Sequence, residues 1–92
     1  MKKLIALAAL MVAFSANAYD CENLSKYAVE VMTKRQNEDS IVEVIKTAKD
    51  DVERRVVLAA YQKPSFSTPK WKSKAIKEFS NDVTTVCYAN SM

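Results

Sequence analysis

The chain has no glycine and no histidine among its 92 residues, and only two prolines, Pro64 and Pro69. Each absence removes a class of structure or chemistry. Without glycine, few positions take a positive φ at low cost, so tight two-residue hairpins are disfavoured and phosphate-cradling glycine loops are excluded. Without histidine the commonest general base and the commonest metal ligand are missing, and Ser–His and Cys–His nucleophilic pairs go with them. Cysteine is scarce as well: Cys21 and Cys87 stand far apart and form no Cys-x-x-Cys motif, so neither a zinc site nor a redox motif is indicated. Long apolar runs are limited to Leu4–Phe14, and no second stretch approaches the roughly 18 residues needed to span a bilayer.

That one apolar run carries information. Met1-Lys2-Lys3 is a short basic start, and Ser15-Ala16-Asn17-Ala18 ends in small residues at Ala-x-Ala spacing. The pattern predicts a secretory leader over 1–18, removed after Ala18, with no stable membrane anchor left behind. Ala18-Tyr19-Asp20 before Cys21 does not resemble a lipobox. The expected location is the periplasm, where disulfides form.

Residues 19–92 read as a single small domain. A domain of this size buries only about 60% of its unfolded surface, and its core supplies about 3–5 kcal/mol. A covalent staple is therefore expected, and a Cys21–Cys87 bridge is the one intramolecular pairing available. In the chain-entropy model it contributes about 4 kcal/mol. Free thiols or pairing between two chains are the alternatives. Removing Lys2 and Lys3 takes the net charge from +3 to +1, which argues against a dedicated polyanion binder. The charge is uneven: five lysines and no acid lie between Lys63 and Lys77, while acids concentrate in Asp20–Glu53.

Helical spacing dominates. Cys21, Leu24, Tyr27, Ala28, Val31 and Met32 share one face of a helix predicted over 20–36, with acids at its start and Lys34-Arg35 at its end. Ser40-x-x-Glu43 has the capping-box form and opens a short helix over 41–48. A third helix is predicted over 50–62. Val56 to Tyr61 is apolar nearly all round, the mark of a helix central to a bundle. Thr68-Pro69 restarts the chain with an N-cap and a first-turn proline. The fourth helix, over 69–88, places Trp71, Ala75, Ile76, Phe79, Val83 and Val86 on one face and Lys70, Lys74 and Lys77 opposite. The expected fold is all-α, a bundle of three to four helices stapled by one disulfide.

No catalytic, cofactor-binding or metal-ligating set is recognisable. Asp50, Asp51 and Glu53 read as complements to a helix N-terminus, not as a glycosidase pair facing across a cleft. One of Arg54 and Arg55 is expected to snorkel or to pair with an acid of the first helix, and the other to be free. Lys70-Trp71-Lys72-Ser73-Lys74 interleaves base with aromatic and could engage an anionic surface. The favoured reading puts Trp71 on the apolar face and the lysines in solvent. Nucleic acid is not an expected partner outside the cytoplasm. Phe66 lies in a polar loop between the prolines, either as a lid over the bundle or as an anchor for a partner. Phe66, Lys70, Lys74 and Lys77 form the candidate interaction surface.

Cys21, Arg35-Gln36, Ala60-Tyr61-x-x-Pro64, Ala75-Ile76-x-x-Phe79 and Cys87 occur together in a layout that resembles small secreted proteins of bacteriophages and prophages. The resemblance implies a periplasmic, helical, disulfide-bonded product and supplies no catalytic residues. By analogy of setting it implies a non-enzymatic effector that binds another periplasmic or envelope protein, in superinfection exclusion or lysis control. The expected state is a monomer or weak homodimer. A periplasmic acid-stress or holdase chaperone and an immunity protein against a secreted toxin are the alternatives.

Overall fold

A computed structural model describes residues 20–91. The leader expected over 1–18 lies outside them. Four helices and no strand make up the described residues: α1 (Cys21–Gln36), α2 (Ile41–Ile45), α3 (Asp51–Ala60) and α4 (Pro69–Ser91).

Local chemistry sets the ends. The Asp20 carboxylate caps α1 by accepting from the Asn23 backbone N–H at 3.1 Å and from the Asn23 side-chain amide at 2.7 Å. Asp50 caps α3 by accepting from the Glu53 N–H at 2.9 Å, and Glu53 reaches back to accept from the Lys49 N–H. Arg54 pairs with Asp51 in its own first turn rather than with the first helix, and Arg55 is exposed. Thr68 Oγ1 accepts weakly from the Trp71 N–H at 3.4 Å, with Pro69 as the first helical residue. The capping box expected at α2 is half formed. Ser40 accepts from the Val42 N–H at 3.2 Å, while Glu43 turns outward to Lys46 at 3.6 Å.

Three residues expected to prolong α2 do not. Thr47 Oγ1 donates to the Val44 carbonyl at 2.7 Å, and the last turn tightens to i→i−3 bonds at Thr47 and Ala48. A side chain that competes for a helix carbonyl and a tightened last turn together end the element. The same hydroxyl receives the Tyr27 phenol at 2.7 Å, which ties the end of α2 to α1.

The core contains Leu24, Ala28, Val31 and Met32 from α1, Val44 from α2, Val56, Val57, Ala59 and Ala60 from α3, and Phe79, Val83 and Val86 from α4. The central element is α1, which packs against the other three helices. That corrects the expectation for α3, whose apolar run is not buried all round. Leu58 is 49% exposed because it points away from α1. The helices α1 and α4 run antiparallel. Ser25 and Ser80 meet at 3.0 Å through their hydroxyls, and Ala28 beside them is fully buried, so small side chains let the two backbones close up. At one end of this pair Cys21 and Cys87 are disulfide-bonded, with Cα atoms 5.7 Å apart and both residues buried.

At the other end, α1 stops in a Schellman arrangement. The Asp39 N–H donates to the Lys34 carbonyl at 3.0 Å and the Glu38 N–H to the Arg35 carbonyl at 2.9 Å. Glu38 takes the left-handed conformation this requires, with φ 63°. Glycine usually fills that place, and a residue with a Cβ costs about 1–2 kcal/mol there.

Two outcomes follow for chemical denaturation. Joint Cys21→Ser and Cys87→Ser substitution lowers stability by about 4 kcal/mol, and an unchanged midpoint contradicts the role given to the bridge. In a Ser65→Ala background, which already lacks the Ser65–Glu38 hydrogen bond, Glu38→Gly raises stability by about 0.5–1 kcal/mol, the relief of strain exceeding the added chain entropy of glycine. A lower midpoint for Glu38→Gly in that background contradicts the strain.

Candidate functional site

Residues 61–68 join α3 to α4 and carry Phe66. A connection of this kind would be loosely held if it met only solvent. Here the end of α1 fastens it. Gln36 is almost fully buried, 1% exposed, on the register of the α1 apolar stripe one turn after Met32. Its side-chain amide Nε2 donates to the Pro64 carbonyl at 2.8 Å, and its Oε1 accepts from the Phe66 N–H at 2.8 Å. A buried amide left unbonded costs about 1–3 kcal/mol, so Gln36 holds both loop groups in one geometry. The Lys72 ammonium donates to the Gln36 backbone carbonyl, which attaches the start of α4 to the same point.

Neighbouring side chains extend the clamp. Arg35 Nε donates to the Lys63 carbonyl at 2.8 Å, and its guanidinium lies 5.3 Å from the centre of the Tyr61 ring. The Tyr61 phenol donates to the Asp39 carbonyl at 2.7 Å, and Ser65 Oγ donates to Glu38 at 3.2 Å. Partial burial raises the Tyr61 phenol above its ordinary pKa of 10.0; the nearby Asp39 charge adds to this and Arg35 opposes it. The phenol therefore keeps its donor proton across the physiological range.

The fixed loop and α4 enclose a cleft of about 170 Å³. Met32 and Phe79, both buried, form its floor with Ala75, and Phe66 and Trp71 form walls. The two rings are tilted at 36° with centres 6.3 Å apart. Lys74 Nζ stands 5.2 Å from the centre of the Trp71 ring and 3.9 Å from Glu78. Lys63, Pro64, Glu78 and Asp82 complete the rim.

Trp71 departs from expectation. It is 47% exposed, because Phe79 already closes the core and the indole leans instead on Phe66 and under Lys74. Phe66 is half-buried and forms a wall of the cleft above Met32 and Phe79. The residues of the expected surface are divided. Phe66 and Lys74 line the cleft. Lys77 lines a second, open groove with Val29, Pro69, Ile76 and Ser80, and the exposed Lys70 lines neither of these two. Gln36, Met32, Lys63 and Asp82 were not expected at the site. Gln36 left a trace in the sequence, since it puts a polar side chain on an apolar register.

No protein-family model matches the chain, and no curated protein or solved structure matches it either.

Gln36→Leu keeps volume and burial but removes both amide bonds. It lowers stability by about 1–3 kcal/mol and shifts the emission of Trp71, the one tryptophan in the chain, to longer wavelength as the Phe66 wall detaches. Emission and stability equal to the parent would show that the loop stands without the clamp.

Proposed function

We propose that the protein acts outside the cytoplasm, in the periplasm, as a protein-binding effector of phage type that inhibits an envelope partner in superinfection exclusion or lysis control. The observation that carries this reading is the braced aromatic cleft. Its walls are held before any partner arrives, so little ordering entropy is lost on binding. Its size narrows the occupant. Pockets for cofactors and drug-sized ligands run to about 300–1,000 Å³. A cleft of 170 Å³ suits one large side chain presented by another protein. Exposed aromatic anchors beside an apolar floor are where interface energy concentrates.

The location is supported by the leader pattern and by the disulfide, a bond that persists in oxidising compartments. Among the described residues, no helix is long and apolar enough to cross a membrane. Lys63 and Lys74 line the cleft and favour encounter with an acidic surface.

The test is a double substitution at exposed or half-exposed positions, Phe66→Ala with Lys70→Glu. It abolishes protection against a superinfecting phage, or the change in lysis timing, while the melting temperature moves by only a few degrees. Activity lost only in step with folded protein would contradict an interface at this place.

A further inference from the structure

The cleft carries two charges that the fold leaves unused. Lys74 and Glu78 answer each other across one turn of α4. The Lys63 ammonium and the Asp82 carboxylate have no hydrogen bond or ion pair among the described residues, although both are half-buried and both line the cleft. Two opposite charges that the fold leaves unanswered are available to an occupant that brings their complements.

Their placement sets a distance. Arg35 and Gln36 fix residues 63–66 to the end of α1, and Lys72 fixes the start of α4 to the same end, so the Lys63 backbone belongs to the Trp71 end of the cleft. The Asp82 backbone lies eleven residues beyond Trp71 along α4, a rise of about 16 Å. A free amino acid cannot reach both charges, since its ammonium and carboxylate share one α-carbon. A helical ligand is about 10–12 Å across, and one turn of it exceeds the 170 Å³ of the cleft. An extended peptide covers the distance in about five residues.

We infer that the cleft receives an extended segment of a partner protein in which one bulky apolar side chain lies between an acidic residue, met by Lys63, and a basic residue about five positions away, met by Asp82. The apolar side chain enters between Phe66 and Trp71 onto Met32 and Phe79. The inference rests on the reading of the cleft as a protein-binding site and adds the chemistry of what binds.

The experiment uses the full disulfide-bonded protein as recovered from cells and two capped hexapeptides, Glu-Ser-Leu-Ser-Ser-Lys and its neutral counterpart Gln-Ser-Leu-Ser-Ser-Gln. Binding is read from the fluorescence of Trp71, which stands in the wall. The charged peptide binds at least tenfold more tightly than the neutral one, and 0.5 M salt removes most of that difference. Asp82→Lys, a change at a half-buried residue whose side chain has no partner among the described residues, reverses the preference: Glu-Ser-Leu-Ser-Ser-Glu then binds at least tenfold more tightly than the original, at a melting temperature within a few degrees of the parent. Equal binding of charged and neutral peptides overturns the charge inference while leaving the cleft as an apolar binding site. An unaltered preference in Asp82→Lys overturns it in the same way. If none of the peptides changes the Trp71 signal and the Phe66→Ala, Lys70→Glu protein retains its phenotype, the proposed function falls as well.

Discussion

A primary amide buried in an apolar core is tolerated only when its donor and its acceptor are both engaged. Gln36 meets that condition through the backbone of residues 64 and 66, so one buried side chain fixes the centre of a loop whose start is held by Arg35. The loop has no helix or sheet ladder of its own to define it. With the amide bonded, Phe66 is carried to Trp71 and a cleft exists; with it unbonded, nothing in the apolar packing alone would place that ring. Among the described residues no buried side-chain nitrogen or oxygen lacks a partner, and Gln36 is the largest polar contributor to that balance.

The amide sits where it does because α1 and α4 are paired over most of their length. The disulfide closes one end of the pair, Ser25 and Ser80 hold its middle, and the Lys72 ammonium on the Gln36 carbonyl holds the other end. The covalent link thus lies at the opposite end of α1 from the Phe66 loop, five residues beyond Asp82 on α4. It supports the site by limiting the unfolded chain and keeping the helix pair in register, not by contact. A small domain gains from this division, because the residues that stabilise it are not those left exposed for binding.

Much of the fold was legible in the sequence. Apolar spacing gave four helices, acids and hydroxyls marked their starts, and a short chain with two cysteines near its ends pointed to the bridge the structure contains. What failed has a tertiary cause. The end of α2 depends on Thr47 being drawn between Val44 and Tyr27, which no local pattern announces. The centrality of α3 was inferred from composition, yet burial is decided by which face meets α1, and Leu58 faces outward. Trp71 falls on the apolar spacing of α4 but lies beyond the point where Phe79 closes the core. The absence of glycine suggested that positive φ would be avoided; Glu38 takes it nonetheless, because the turn out of α1 demands it. For the site, Phe66 and Lys74 were legible as an exposed aromatic and a basic neighbour. Gln36, Met32, Lys63 and Asp82 were not, since their roles arise from contacts across 28 to 30 positions or from a cleft that exists only after folding.

The claim on which the site depends is that the loop is locked by the buried amide before any partner arrives. Backbone hydrogen exchange measures this directly. The Phe66 N–H lies in a loop and donates to a side chain, so its protection reports that single bond. The Phe66 amide is expected to exchange far more slowly than the neighbouring Ser65 and Ser67 amides, at a rate set by opening of the α1 end. Exchange at Phe66 as fast as at those neighbours would show that the wall is not held and that the cleft is not preformed.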